Sequence, residues 1–259
     1  MRSFPDRYGK WAVVAGASEG LGEAFAAALA ERGMNVVMVA RRGRLLEAIG
    51  GRLAAEHGVE IRCLELDLTH PGFPKDLKAA TRGLDLGVLV YNAAFVPMGP
   101  FLDHDEAAIE QAVDVNVRGP LRLVQALAPA LKERGRGAVV LMSSLSGLQG
   151  SPHIATYAAT KAFNTIFAEG LWYELLPHGV EVAACVSGAV PTPGYLERFK
   201  RDAPGMLSAD EAVRQTLDRL GRGPRIVPGG FNRVAAQLVR RLLPRRTAIR
   251  LIAKSTEHL

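Results

Sequence analysis

Cysteine is nearly missing from this chain. The two present, Cys63 and Cys185, each sit inside an apolar run that reads as a strand, which predicts buried thiols rather than a disulfide or a metal site. Such usage suits a reducing cytoplasm. Long hydrophobic runs are missing too. No segment approaches the ~20 apolar residues that span a bilayer, and the opening "MRSFPDRYGKWAVVAGAS" holds no apolar core of a secretion signal. A cytoplasmic protein is expected. No repeat or low-complexity linker interrupts the chain, so one domain is the economical count. No cluster of Cys, His or carboxylates surrounds His153, so no metal is expected there. Acids are missing from one region only: residues 231–254, "FNRVAAQLVRRLLPRRTAIRLIAK", hold seven arginines and lysines and no Asp or Glu. The remainder carries 25 bases against 26 acids, so the net charge of +6 belongs to this tail and no nucleic-acid partner is expected for the whole.

What is present is an ordinary globular composition, 48% hydrophobic and 22% charged over 259 residues, enough for a sizeable core. "WAVVAG" (11–16) followed by "EAFAAALAERG" reads as strand, turn and helix, the helix stopping at Gly33. Further apolar strands are predicted at 35–40, 59–67, 86–92, 137–143 and 179–187. Helices are predicted at 43–57, 73–82, within 103–116, at 118–134 and at about 154–176. Continuous apolar strands between amphipathic helices imply an α/β fold, a doubly wound parallel sheet with helices on both faces. Residues 188–207, rich in Pro and Gly, follow the sixth strand and read as a substrate lid at the carboxyl ends of the strands.

Two short stretches suggest chemistry. "AGASEGLG" puts Gly16, Gly20 and Gly22 between a strand and a helix, where glycines let the backbone approach a pyrophosphate and a helix N-terminus attracts it. "YAATKAF" puts Tyr157 and Lys161 four apart, on one helical face, where an ammonium favours the charged form of a phenol. With "LDLT" (66–69), "YNAA" (91–94), Asn116 in "DVNVRGP", "LMSSLSG" (141–147) and "SGAVPTP" (187–193), these motifs run in the order of one family. The chain resembles the short-chain dehydrogenase/reductase family in its compact, NAD(P)(H)-dependent form, which lacks a separate substrate domain.

The resemblance implies a single-domain Rossmann-type fold, with residues 1–230 as the NAD(P)-binding catalytic domain and 231–259 as a basic helical tail of the same domain. It implies a catalytic tetrad of Asn116, Ser144, Tyr157 and Lys161, and Tyr157 follows Ser144 by the family's usual thirteen positions. Tyr157 is the expected general acid and base, and Ser144 the expected donor to the substrate oxygen. Lys161 is expected to lower the phenol pKa and bind the nicotinamide ribose, and Asn116 to hold a water that connects Lys161 to solvent. Ser143 competes with Ser144, but alternation along a strand turns it to the opposite side. The implied cofactor groove comprises Gly16, Ser18, Gly20, Leu21, Gly22, Asp67, Leu68, Asn92, Ala93, Ala94, Gly188, Val190 and Thr192, together with Tyr157 and Lys161. Departures from the family pattern fall at Ala15, Tyr91, Ala94 and Ser187.

After the second strand, "VARRGR" places Arg41 and Arg42 where an NAD-selective site puts an acid, which favours NADP(H) over NAD(H). Glu19 stands where one NADP-using subgroup has a base. The expected pocket side chains, Leu145, Gln149, His153, Val190, Tyr195, Phe199 and Met206, are mostly apolar and suit a hydrophobic ketone or aldehyde. A nucleotide-sensing or membrane-surface relative without turnover is the alternative, although nucleotide-sensing relatives often lose the Tyr or Lys retained here. A homodimer or homotetramer is expected. Phe231, Val234, Leu238, Leu242 and Leu243 recur at helical spacing before Pro244, and Ile249 and Ile252 suggest a second short helix. That basic tail suits packing at a subunit edge with weak contact to an anionic membrane or acidic carrier.

Overall fold

Five of the six apolar runs become strands buried on both faces because each is too apolar to leave either face in water, while the third, at the sheet edge, stays partly exposed. In the computed structural model, which describes residues 3–199 and 203–256 without the side chains at 197–199, 240 and 255, the chain runs in this order. It begins α1 (Phe4–Tyr8), β1 (Trp11–Ala15), α2 (Gly20–Glu31), β2 (Asn35–Ala40), α3 (Gly43–His57), β3 (Ile61–Glu65) and α4 (Phe73–Ala80). Next come β4 (Leu86–Tyr91), α5 (Glu106–Val113), α6 (Gly119–Arg134), β5 (Gly137–Ser144), α7 (Ala155–Leu175) and β6 (Val180–Ser187). It closes with α8 (Pro193–Phe199), α9 (Ala209–Leu217), β7 (Arg225–Ile226), α10 (Gly230–Arg241) and α11 (Arg245–Thr256).

The sheet has seven strands in the order β3-β2-β1-β4-β5-β6-β7, and every pairing is parallel. Its register sorts side chains by parity. Val37, Val13, Leu89, Val139 and Val182 form one row across the sheet, and they pack with Phe73, Leu77, Leu123, Leu127 and Leu131 of α4 and α6. Met38, Val14, Val90, Val140 and Ala183 form the row beside it, which packs with Phe25, Leu29, Leu46, Leu53 and Val213 of α2, α3 and α9 on the other face. Burying one such Leu or Phe stabilises the fold by about 1.5–3 kcal/mol. Strand order reverses between β1 and β4, so the crevice beyond their carboxyl ends is where an open α/β sheet binds its ligand.

Differences from the sequence reading have local causes. The two-residue strand β7 is too short to show a pattern, and α1 is set by its Ser3 cap and by Tyr8, buried with its hydroxyl donating to Glu181 Oε2 at 2.7 Å. The region 103–116 breaks into a 3₁₀ turn, α5 and a π-helical turn, Asp114–Arg118. The lid is not all loop, since α8 lies within it, and part of it falls outside the described residues. Cys185 is buried but Cys63, on a strand of partly exposed residues, is only half-buried. Two tail helices form on either side of Pro244, as the spacing predicts. Among the described residues no helix is long and apolar enough to cross a membrane.

Candidate active site

The glycine-rich turn leaves β1 at Gly16 with φ +84°, a left-handed conformation suited to glycine. A Cβ there would lie 2.6 Å from the Ala93 amide nitrogen, and one on Gly22 would lie 1.9 Å from Gly16 O. Larger residues would push the turn and the start of α2 outward. Asn92, at the end of β4, donates from Nδ2 to Gly16 O at 2.9 Å and so fixes the turn to the neighbouring strand. Thr192 at the root of the lid lies beside the same turn, its Cγ2 2.6 Å from where a Gly20 Cβ would be. This small-residue cradle, open at a helix N-terminus, fits a dinucleotide phosphate.

Around the cradle, Arg42 donates to Ser18 Oγ at 2.9 Å and pairs with Glu19 at 3.0 Å, both at the mouth of the turn. Glu19 therefore positions a base rather than replacing one. Arg41 is exposed beside it. Burial pushes the Asp67 carboxyl up, but hydrogen bonds from the Thr69 amide and hydroxyl, with Arg41 and His70 nearby, outweigh this and leave it below the usual range. Leu21 and Leu68 pack into the two cores, so what they present to the groove is backbone. Val190 is buried, Gly188 lies against Asn232, and Ala94 is exposed.

At the end of β5 the two serines part company. Ser143 is buried, donating to Lys161 O at 2.7 Å and sharing a hydrogen bond with Thr165 at 2.6 Å. Ser144 Oγ instead accepts from the Ser146 amide at 3.2 Å and hydroxyl at 2.9 Å, which leaves its own proton to donate outward. Burial holds the Tyr157 phenol above its usual pKa, and the Ser144 hydroxyl opposes that shift. Lys161 is buried on the same face of α7, with Nζ 5.4 Å from the centre of the Tyr157 ring and donating to Met142 O at 2.9 Å. Burial lowers its pKa to about 8, against a small opposing effect of Cys185. In the protein alone, then, the phenol is raised and not lowered, because the loss of solvent outweighs the opposing hydrogen bond of Ser144.

Asn116 lies in the π-helical turn, fully buried. Pro120, four positions on, has no N–H to give to the Asn116 carbonyl and crowds it, which opens the helix there. The Asn116 side chain is committed to Phe95, accepting from its amide at 2.8 Å and donating to its carbonyl at 2.7 Å, and it also donates to Thr160 Oγ1 at 3.1 Å. The side chain is therefore taken up, and what remains is the Asn116 backbone carbonyl. That carbonyl accepts instead from Asn164 Nδ2 at 3.1 Å, while Asn164 Oδ1 is buried without a partner among the described residues. Sequence reading missed Asn164; its signal was an amide on the Tyr157–Lys161 face of an otherwise apolar helix. Tyr91, a departure from the family pattern, supports the same turn by donating from its hydroxyl to Val115 O at 2.6 Å.

The expected pocket residues are less uniform. His153 has φ +62°, unusual for a non-glycine, and its buried Nδ1 has no partner among the described residues. Gln149 is buried and donates to Leu145 O at 3.3 Å, and Leu145 packs against the core. Tyr195 and Met206 are partly exposed in the lid, and the side chain of Phe199 lies outside the described residues. Among the described residues no cluster of His, Cys, Asp or Glu has the makings of a metal site.

Residues 10–202 match the family model described as short chain dehydrogenase. The chain belongs to the short-chain dehydrogenase family. It is 36% identical over 234 residues to a 7β-hydroxysteroid dehydrogenase of Clostridium sardiniense, covering 89% of this chain and 90% of that one. A solved structure of a 7β-hydroxysteroid dehydrogenase superposes with a TM-score of 0.91 at 30% identity, covering 97% of this chain and 99% of that one. A short-chain dehydrogenase from Sphingobium yanoikuyae in complex with NADPH superposes at 0.77 with 32% identity over 84% of this chain and 87% of that one. As a family member the protein is an NAD(P)-dependent oxidoreductase acting on CH–OH groups and the corresponding carbonyls.

Proposed function

We propose that the protein is an NADP(H)-dependent reductase of a hydrophobic ketone or aldehyde, steroid-like in bulk, running also in the alcohol-oxidising direction. The observation that carries this reading is the meeting of Ser144, Tyr157 and Lys161 beside a phosphate cradle. Bound NADP(H) supplies the hydride. Gly16, Gly20, Gly22 and Ser18 would hold its pyrophosphate, Arg41 and Arg42 its 2′-phosphate, and Asp67 and Leu68 its adenine end. Asn92, Ala93 and Ala94 would line the groove, Lys161 the ribose, and Gly188, Val190 and Thr192 the nicotinamide end.

Tyr157 gives its hydroxyl proton to the carbonyl oxygen, and a phenol kept protonated by burial is in the form this step requires. Ser144, its oxygen already accepting from Ser146, donates to the same oxygen as negative charge develops there. Lys161 restores the phenol proton, and a lysine poised near pH 8 takes and gives protons readily. His153, with a buried nitrogen unpaired among the described residues and an unfavourable backbone, offers a polar anchor for the far end of an otherwise apolar substrate. The relatives named for a hydroxysteroid agree with the size and polarity of such a ligand.

A screen of bulky ketones and alcohols with both nicotinamide cofactors, read at the cofactor absorbance, tests the activity. Tyr157→Phe is expected to retain cofactor binding while turnover falls by at least ~100-fold. Comparable turnover by that variant would remove Tyr157 from the mechanism, whereas cofactor binding without turnover of any ketone or alcohol by the wild type would favour the nucleotide-sensing alternative.

Two partner readings accompany this one. Ile166, Tyr173 and Leu176 are exposed on and after α7, which supports assembly as a homodimer or homotetramer. Phe231, Val234, Leu238 and Leu242 are exposed on and after α10, in a segment without acids, which supports weak contact of the tail with anionic surfaces.

A further inference from the structure

Away from Tyr157 and Ser144, a cavity of about 310 Å³ opens between the edge strand β7, helix α10 and the 3₁₀ turn Leu145–Leu148. Its floor is apolar, made by Leu148, Val186, Ile226 and Val227, while four arginines stand around it, Arg219, Arg222, Arg225 and Arg233. Arg225 pairs with Glu169 on α7. Among the described residues Arg233 reaches only neutral oxygens, Gln215 Oε1 at 3.4 Å and Val227 O at 3.3 Å. Arg219, Arg222 and Arg233 have no carboxylate partner among the described residues. The adjacent Asp218 is turned away, paired with Arg32 at 2.8 Å and Arg214 at 3.7 Å.

This arrangement has no account in the fold or in the reaction. Burial and the like charges of Arg233 and Arg222 together lower the pKa of Arg219, so the arginines repel one another. Guanidinium groups left in that state around an apolar floor are matched by a ligand with a planar oxyanion at one end and hydrocarbon at the other. The volume lies at the lower end of small-molecule pockets, about 300–1,000 Å³. A second copy of the chain is a poorer match, because an isologous contact at this face sets arginines near arginines.

We propose that this cavity is a second binding site, taking an amphiphilic carboxylate whose head is held by Arg219, Arg222 and Arg233 and whose hydrocarbon lies on Leu148, Val186, Ile226 and Val227. Its position gives occupancy something to act on. Leu148 ends the turn that follows Ser144, and Val186 precedes the root of the lid.

Titration calorimetry on the NADP(H)-saturated protein tests this with three probes at one ionic strength: octanoate, octan-1-ol and acetate. Octanoate is expected to bind, octan-1-ol at least ~10-fold more weakly, and acetate without measurable heat, since a charge-assisted hydrogen bond contributes about 1.5–3 kcal/mol, a factor of ten or more. The double variant Arg219→Gln/Arg222→Gln is expected to bind octanoate about 10-fold more weakly, with unchanged turnover and an unfolding midpoint no lower than wild type. Equal binding of octanoate and octan-1-ol would overturn the proposal, as would undiminished octanoate binding by the double variant. Conversion of a wild-type oligomer into monomer by the same variant, seen by light scattering, would also overturn it by making the face a subunit interface.

Discussion

A lysine that loses its water loses part of its proton affinity, and Lys161 is such a residue. Its folded pKa of about 8 lies below the ~10.4 of a free lysine. Between the two values the unfolded chain holds more protons than the folded one, so stability rises with pH across that window, and below it the protein carries the full cost of the buried charge. In the cofactor-free protein the unfolding midpoint of wild type relative to Lys161→Met is therefore expected to rise from about pH 8 to about pH 10. A difference that stays flat with pH would place the charged lysine in contact with solvent. The arginines after β2 allow a second check at this scale: Arg41→Asp is expected to lower the NADPH to NADH efficiency ratio by ~10-fold or more, the loss of one charge-assisted contact to a phosphate. An unchanged ratio would overturn the NADP(H) assignment. Ser144 was separable from Ser143 in sequence because strand alternation is a local rule. Asn164 was not, because its partners lie on β5 and the π-helical turn.

Among the elements, the tail helices were legible from periodicity, yet which face they bury was not. Helix α10 keeps Asn232 and Ala236 inside and leaves Phe231, Val234 and Leu238 in solvent, while α11 holds Ala248 inside and shows Arg245, Arg246, Arg250 and Lys254. An apolar face flanked by bases without acids binds anionic lipid by burial and charge together, with about 1 kcal/mol from each base near the surface. Co-sedimentation is expected to pellet the full chain with anionic vesicles at low salt, less with neutral vesicles, and less at high salt. Phe231→Ser/Leu238→Ser is expected to reduce pelleting without changing turnover. Equal pelleting with neutral and anionic vesicles at low salt would leave α10 a packing role only. Two of the elements that escaped the sequence reading share a cause. Helix α1 is five residues long and β7 two. Each is held by contacts with distant segments, Tyr8 with Glu181 and Arg225 with Glu169, so no local period announces it.

For the whole molecule, parity did most of the work. Strands that alternate between two helix layers must be apolar at every position, and the side chains one residue apart enter opposite cores, so the doubly wound parallel sheet was written in composition and period. The Gly16–Gly22 turn and the Tyr157–Lys161 spacing were likewise local, since each needs only neighbours in sequence to be recognised. Only the tertiary structure decided that Asn116 spends its side chain on Phe95 and offers its carbonyl to Asn164, that Tyr91 props the same turn, that the phenol of Tyr157 is raised by burial, and that four arginines from the α9–β7 connection, β7 and α10 surround one apolar cavity. These depend on which groups share a space from which water has been excluded, and a pKa or an unpaired charge is a property of that space rather than of any residue in it.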